Sequence, residues 1–495
     1  MNKKKTLIIV IIAAAVLIAA MVVLLLLPKG GSSDSDAATI DEGAEVSYST
    51  DAKGVHQAVV GRDAGGKITS NSYGTLMSYT PAELKAMHLE NDNGTLDITA
   101  VTPEGEATVY TLVGFEEYDM QSGAPDGIAN AAAKLDFTMV AGEDNGGSEF
   151  GFDKPRAVAT ITYTDDTKAI ITVGADAPQE RGTYVKFGDG KDIYLVETDI
   201  VSPFLYGVND LISLVINDSA ADVATSQAQV IEVTSGGSSF TLKPYTGAKF
   251  SSSYYLTEPQ TRFASEGESS KIDGGIRGLY ANTVKLVNPS AAQLADAGLD
   301  KPYATLYAEY SDGNVRLSAS KPDSDGEVNL MLDGRNIVYT ISAEKVPWVS
   351  TSFEKLVSEY VLYPKMTALT GMKVNGTDYT LNTRESHTTD DEGNESTSTV
   401  TTVFEGDKEL QIENFSTFYD NAAMIALANP DEAAVSGSPE LTLTYTYDDG
   451  STDEVAYYAA GGTYYVATVN GTVMGHARQS DVTRALDSWK ALSES

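Results

Sequence analysis

The chain has no cysteine among its 495 residues. Disulfides, thiolate chemistry and thiol zinc sites are therefore excluded, and so is a lipoprotein anchor, which needs a cysteine just after its apolar segment. Histidine is scarce as well. His56, His88, His387 and His476 are the full set, none is near another, and no His-Glu-x-x-His is present. A histidine metal site or a Ser-His-Asp triad thus has no sequence support. Neither a Gly-x-Ser-x-Gly elbow nor a phosphate-binding glycine loop ending in Lys-Ser/Thr occurs. Basic residues are few, 34 against 70 acidic ones, for a formal charge of −36. Such a surface repels phosphate backbones, which argues against nucleic acid as a partner. It also repels an anionic lipid surface, so only the N-terminus should touch membrane.

Long apolar runs are missing too, with one exception at residues 7–27, preceded by Lys3, Lys4 and Lys5. As a helix this run rises ~31 Å, about the thickness of a bilayer core. It is longer than the ~7–15 apolar residues of a cleaved signal peptide, and the nearest exterior cleavage candidate, ending at Ala38, has Asp36 two positions before it. An uncleaved anchor is expected. The lysines belong on the cytoplasmic side, which places the long C-terminal portion outside. The expected localisation is the cell membrane, single-pass, with a cytoplasmic N-terminus and an extracytoplasmic ectodomain.

What is present is a β-rich composition with an internal repeat. Hydrophobic residues make up 42% of the chain, and its length suits about three domains. Repeats at a fixed period should be sought before any local reading. Gly151-Phe152-Asp153-Lys154-Pro155 and Gly298-Leu299-Asp300-Lys301-Pro302 match each other, and Gly437-Ser438-Pro439 is a shorter version. A tyrosine follows each proline by eight residues: Tyr163, Tyr310 and Tyr447. Acidic turns follow at Asp165-Asp166, Asp312-Gly313 and Asp449-Gly450. The prolines lie 147 and 137 residues apart, which sets the module size. A second marker is read at Tyr110-Thr111-Leu112, Phe240-Thr241-Leu242 and Tyr379-Thr380-Leu381. A third is a late turn at Asp189-Gly190, Asp333-Gly334 and Asn470-Gly471, chemistry suited to tight hairpins with positive φ.

The stretches between the turns alternate and are β-branched, as in residues 157–163 and 441–447, which predicts antiparallel meanders. Helices are predicted over 125–137, 290–297 and 416–428, and closing helices over 202–213, 350–358 and 480–492. Residues 387–401, rich in Thr, Ser, Asp and Glu, read as a long surface hairpin loop.

The expected fold class is therefore α+β and β-rich. One N-terminal transmembrane helix precedes three tandem repeats of an antiparallel-sheet module with one or two helices each. The expected division is a basic tip and anchor (1–28), a flexible linker (29–45), an N-terminal segment plus module one (46–215), module two (222–360) and a divergent module three (364–495). The signature residues are Gly151, Asp153, Pro155, Tyr163, Gly298, Asp300, Pro302, Tyr310, Gly437, Pro439 and Tyr447, all read as structural.

These elements, with the lysine-rich start and the single apolar run, resemble the family known as domain of unknown function 4340. Copies one and two carry the full motif; copy three lacks the Asp-Lys pair. The resemblance implies envelope-exposed, membrane-anchored proteins, often encoded beside an ABC-type transport system of the gliding-motility kind. It supplies no catalytic residues.

Other candidates for chemistry read as structural. Ser352-Phe353-Glu354-Lys355 matches Ser-x-x-Lys, but the Lys-Thr-Gly strand of penicillin-binding enzymes is missing, and a short amphipathic helix is expected instead. Asp323-Ser324-Asp325-Gly326-Glu327 resembles a calcium loop, but its twelfth position is Gly334 rather than Glu. It and the acidic loop at 390–395 are expected to be solvated hairpin tips. The 27 tyrosines are expected mainly in cores and turns, and Trp348 and Trp489 in helix-on-sheet packing. No catalytic residue, cofactor or metal is assigned. The leading functional expectation is a non-enzymatic, membrane-anchored extracytoplasmic accessory or scaffold of an ABC-type transport or envelope complex, with protein partners that include transporter subunits. The alternatives are a wall-polymer or glycan binder using tyrosine-lined sheet faces, and an exported hydrolase.

Overall fold

The computed structural model describes residues 47–59, 64–65, 74–222, 226–389, 395–429 and 434–494. Among them no helix is long and apolar enough to cross a membrane. The expected transmembrane helix is corrected accordingly: it has no counterpart in the described fold, and residues 1–28 and the linker 29–45 lie outside the described residues. The longest described helix, Gln479–Glu494, keeps Arg484, Asp487 and Lys490 exposed, so one face of it stays in water.

Three large antiparallel sheets follow one another along the chain, with eight, nine and nine strands among the described residues. Counted in chain order, strands one to eight lie 3-2-1-5-6-7-8-4 across each sheet. The second and third sheets add a short edge strand beyond strand three, at Arg262–Phe263 and Lys408–Leu410. Strand five is the centre of each sheet: Ala157–Tyr163, Ala304–Tyr310 and Leu441–Tyr447. Each is seven residues long, begins two residues after the signature proline, and alternates buried and more exposed positions. That alternation is what a sheet with one face on a core demands.

Several local expectations are corrected. Phe240 and Tyr379 lie on strand two, but Tyr110 lies on strand three. The true counterpart in the first sheet is Leu96-Asp97-Ile98, which follows the strand one–two turn as the others do, with Leu96 and Ile98 buried. The helix preceding strand four is Ala124–Ala133, Glu266–Gly274 or Ile412–Ala423. Sequence reading missed the second of these, because its polar run Glu-Gly-Glu-Ser-Ser-Lys carries almost no apolar period. The Ser290-capped helix, Ala291–Asp296, instead follows strand four, and its capping box with Gln293 is intact. The third helix starts and stops earlier than expected, because residues Leu427–Asn429 form edge strand four. Of the closing helices only Gln479–Glu494 is long; the other two are broken into short turns by Pro203 and Gly207 and around residues 350–352. The expected hairpin loop at 387–401 is instead mostly ladder. Thr377–Thr389 pairs with Glu395–Glu405 out to Thr389↔Glu395, and residues 390–394 lie outside the described set. Of the three late turns, only Asn470-Gly471 has positive φ at both positions, 50° and 77°.

The sheets are joined by short linkers that make isolated bridges to both sides. Residues 211–216 run between sheets one and two. Their first half bonds back to the first sheet, Gln121 N to Leu211 O and Ser213 N to Asp119 O, at 2.7 and 2.8 Å. Their second half bonds forward, Ile216 N to Leu279 O and Ala281 N to Leu214 O, at 2.9 and 2.8 Å. The second junction repeats this bond for bond. Ser265 N donates to Leu356 O and Ser358 N to Phe263 O; Val361 N donates to Ile425 O and Leu427 N to Glu359 O, all within 2.7–3.0 Å. The linkers read Leu-Ile-Ser-Leu-Val-Ile and Leu-Val-Ser-Glu-Tyr-Val. Strand Gly74–Ser78 enters the first sheet's module in the same way, pairing with Lys134–Phe137 just ahead of strand four.

Burial follows the same logic. The first two sheets share one continuous core that includes Leu211, Ile212 and Ile216 of the linker. The third sheet has its own core, reached from the second sheet by Phe250, Tyr245 and Phe263. Trp348 is fully buried and donates its indole N–H to Gly275 O at 2.9 Å. Trp489 packs its helix onto the third sheet and donates to the Tyr379 hydroxyl at 2.9 Å.

Candidate functional site

The signature residues do not converge on one place. They recur once per sheet, around the entry to and exit from strand five. Gly151, Gly298 and Gly437 all have positive φ, between 72° and 76°, a backbone that L side chains resist. A Cβ at Gly151 would also lie 2.7 Å from Ala175 N. Asp153 and Asp300 are exposed, and Pro155, Pro302 and Pro439 open the strand.

The three tyrosines are buried, yet each meets a different environment. Tyr163 donates to Ala132 O at 2.7 Å, capping a helix end, and Tyr79 stacks on its ring at 3.6 Å. The Arg277 guanidinium lies 3.8 Å over the ring of Tyr310, whose hydroxyl has no hydrogen-bond partner among the described residues. Tyr447 donates to Asp453 Oδ2 at 2.8 Å, and Lys249 from the preceding module sits over its ring while pairing with Asp449. Burial raises the phenol pKa of both Tyr310 and Tyr447. Large tyrosines are mostly interior; Tyr280, Tyr303 and Tyr464 are the strongly exposed ones among the described residues.

The other sequence candidates are spent on structure. The Lys355 ammonium of Ser-x-x-Lys donates to Ser350 O, while its backbone N–H donates to Ser352 O as part of the short helical turn. The Asp323 carboxylate accepts from Asp325 N and Glu327 N, both at 2.9 Å, which closes its own turn. His56 is buried, with ring nitrogens on Thr50 Oγ1 at 3.0 Å and the Tyr79 hydroxyl at 2.7 Å; desolvation lowers its pKa despite Asp165 nearby. His88 is more exposed, held by Asp97 at 2.7 Å and Glu90 at 3.3 Å, which raise its pKa.

The place best built to hold something is the second junction. A cleft of about 730 Å³ opens there, within the range of small-molecule sites. One wall comes from the second sheet's edge (Tyr245, Phe250, Phe263), one from the linker (Tyr360, Tyr363), and one from the third sheet (Leu427, Val469, Met474). Arg262 is the basic side chain of the lining. It reaches across to Met474, with Nη1 at 2.9 Å from Sδ and Nη2 at 3.2 Å from the carbonyl oxygen. Burial lowers its pKa. Sequence reading missed this site because its residues come from three distant stretches, none carrying a local motif. The nearest signal was the pair of related linker hexapeptides.

The first junction offers a comparison within the same chain. Equivalent elements, residues 117–119, 212–213 and 334–339, enclose about 130 Å³ there. Tyr118 stands where Arg262 does, one residue before the acceptor of the linker serine, and Tyr339 stands where Met474 does. Tyr339 is fully buried, and Arg335 crosses to Val215 O at 3.2 Å. Tyr339 thus fills at the first junction the place that Met474 leaves open at the second; a separate hollow of about 490 Å³, lined by Asn217, Asp218, Arg277 and Arg335, lies beyond the first linker.

The architecture is that of a tandem array of like antiparallel sheets joined by linkers bridged to both neighbours. Residues 111–273 match the family described as Domain of unknown function (DUF4340). The matched segment starts on strand three of the first sheet and ends in the helix preceding strand four of the second, so it spans a whole junction rather than one sheet. No curated protein matches the chain.

Proposed function

We propose that this protein is a non-enzymatic accessory or scaffold of an envelope complex, an ABC-type transport assembly being the partner class, and that it works outside the cell membrane with its N-terminus on the cytoplasmic side. The observation that carries this reading is the pair of identical four-bond junctions. Backbone bonds to both neighbours fix each sheet against the next, and stacked copies present an extended surface with the same relief repeated. A scaffold needs that, whereas a single reaction centre does not need three copies. The address draws on Lys3, Lys4 and Lys5 ahead of the apolar run. The partner class draws on the family resemblance.

The test is purification of the full chain, tagged at its C-terminus, from mildly cross-linked native membranes. The expected result is enrichment of ABC-type permease and ATPase subunits over a control carrying residues 1–45 alone. A preparation free of such subunits would overturn the partner class.

A further inference from the structure

We propose that the cleft at the second junction binds an amphipathic anion, with a hydrocarbon body against Tyr245, Phe250, Phe263, Tyr360 and Met474 and one carboxylate or phosphate paired with Arg262. This goes beyond the accessory reading and stands on the cleft alone, so either idea can fail without the other.

The first argument is internal. The two junctions share elements and all four bridging hydrogen bonds. The space around Tyr118 and Tyr339 at the first junction is about 130 Å³, so a hollow of about 730 Å³ around Arg262 and Met474 at the second is not a requirement of the architecture. Well-packed interiors avoid such space because lining atoms lose their contacts. The second argument is charge. No carboxylate lies within ion-pair distance of Arg262 among the described residues, although the chain carries 70 acidic residues. A half-buried guanidinium on an apolar wall gives up hydration, and an anionic head would restore a strong, geometrically matched partner. The two acidic wall residues do not supply it. Glu266 is held by Ser253 N and Oγ, both at 2.6 Å, and Glu359, exposed at the cleft wall, is hydrogen-bonded to the Tyr360 hydroxyl. The third argument is composition. Aromatic and aliphatic walls with a single convergent cation suit a ligand with one polar end.

The head group could belong to a free fatty acid or to a lysolipid, and the experiment separates the two. The full chain in nanodiscs is labelled with a diazirine-bearing dodecanoate, and the adducts are mapped by mass spectrometry. Dodecanoate, lysophosphatidylglycerol and dodecanol serve as competitors. Label should fall on residues 245–263 and 357–363, with the stronger of the two anionic competitors naming the head group and dodecanol at least about tenfold weaker. Arg262→Gln should cut labelling about tenfold, Arg262→Lys should restore part of it, and Met474→Trp should abolish it by filling the space. Hydrogen exchange at residues 425–427 checks that each variant keeps the junction. Equal competition by dodecanol, unchanged labelling of Arg262→Gln, or label outside the cleft would each overturn the proposal.

Discussion

Replacing each signature tyrosine by phenylalanine removes one oxygen and nothing else, so the three sites should separate by hydroxyl environment alone. At Tyr163 the change leaves Ala132 O, near the end of helix Ala124–Ala133, without its donor. A lost buried hydrogen bond plus an orphaned acceptor costs about 2 kcal/mol. At Tyr447 the acceptor is a carboxylate, but Asp453 keeps its bond from Asn470 at 2.7 Å, so about 1–2 kcal/mol is expected. At Tyr310 the hydroxyl has no described partner, and Arg277 stacks on the ring rather than the oxygen. Phenylalanine keeps that ring contact, so the cost should be about zero, or the variant slightly more stable. Urea denaturation of the full chain, with hydrogen exchange read separately at residues 157–163, 304–310 and 441–447, resolves the sites. If Tyr310→Phe weakens its sheet as much as Tyr163→Phe does, the argument from hydroxyl environment is wrong.

Three further outcomes are expected. The imidazoles of His56 and His88 should titrate on opposite sides of about 6.5. His56, lowered by burial, contributes stability that is full above that value and lost as pH falls through its folded pKa; His88, raised by Asp97 and Glu90, contributes stability that is full below it and lost as pH rises through its folded pKa. Proton NMR with His56→Gln as the assignment control reads both, and His88 titrating below His56 would refute it. Val361→Pro removes the donor to Ile425 O and should deprotect residues 425–427 while leaving 279–281 unchanged; equal loss at both junctions would mean the stitches do not act locally. Gly151→Ala should lower thermal stability more than Gly437→Ala, because both strain a positive φ, at roughly 1–2 kcal/mol, but only the first also presses on Ala175. Equal losses would remove the steric part of that account.

Much of the sheet plan could be read from periodicity and turn chemistry. Strand five is visible in Leu441-Thr442-Leu443-Thr444-Tyr445-Thr446-Tyr447 because one face is core and the other is not. The misplacement of Tyr110 was avoidable. Phe240 and Tyr379 stand 62 and 60 residues before their prolines, but Tyr110 only 45, while Leu96 stands 59 before its own. Helix Glu266–Gly274 was not legible, since its position is fixed by packing of Ser269 and Ile272 rather than by an apolar stripe. The transmembrane helix was inferred from residues outside the described fold, and no described helix answers to it. The cleft was hidden for a different reason. It depends on what is slender, Met474 in place of Tyr339, and absence of bulk leaves no pattern along a chain.

Because each linker is split between two sheets, the unit that can be gained or lost intact does not run from sheet edge to sheet edge. It runs from the middle of one linker to the middle of the next. Ser213 and Ser358 occupy the same bonding position in their linkers. Excising residues 214–358 would join Ser213 to Glu359 and rebuild one hybrid linker, with donors and acceptors on both sides still answered. A cut at either sheet's border would strand a row of open amides. The chain therefore carries its own rule for changing height, one storey of about 145 residues at a time, with every joint remade by the same six-residue hinge pin.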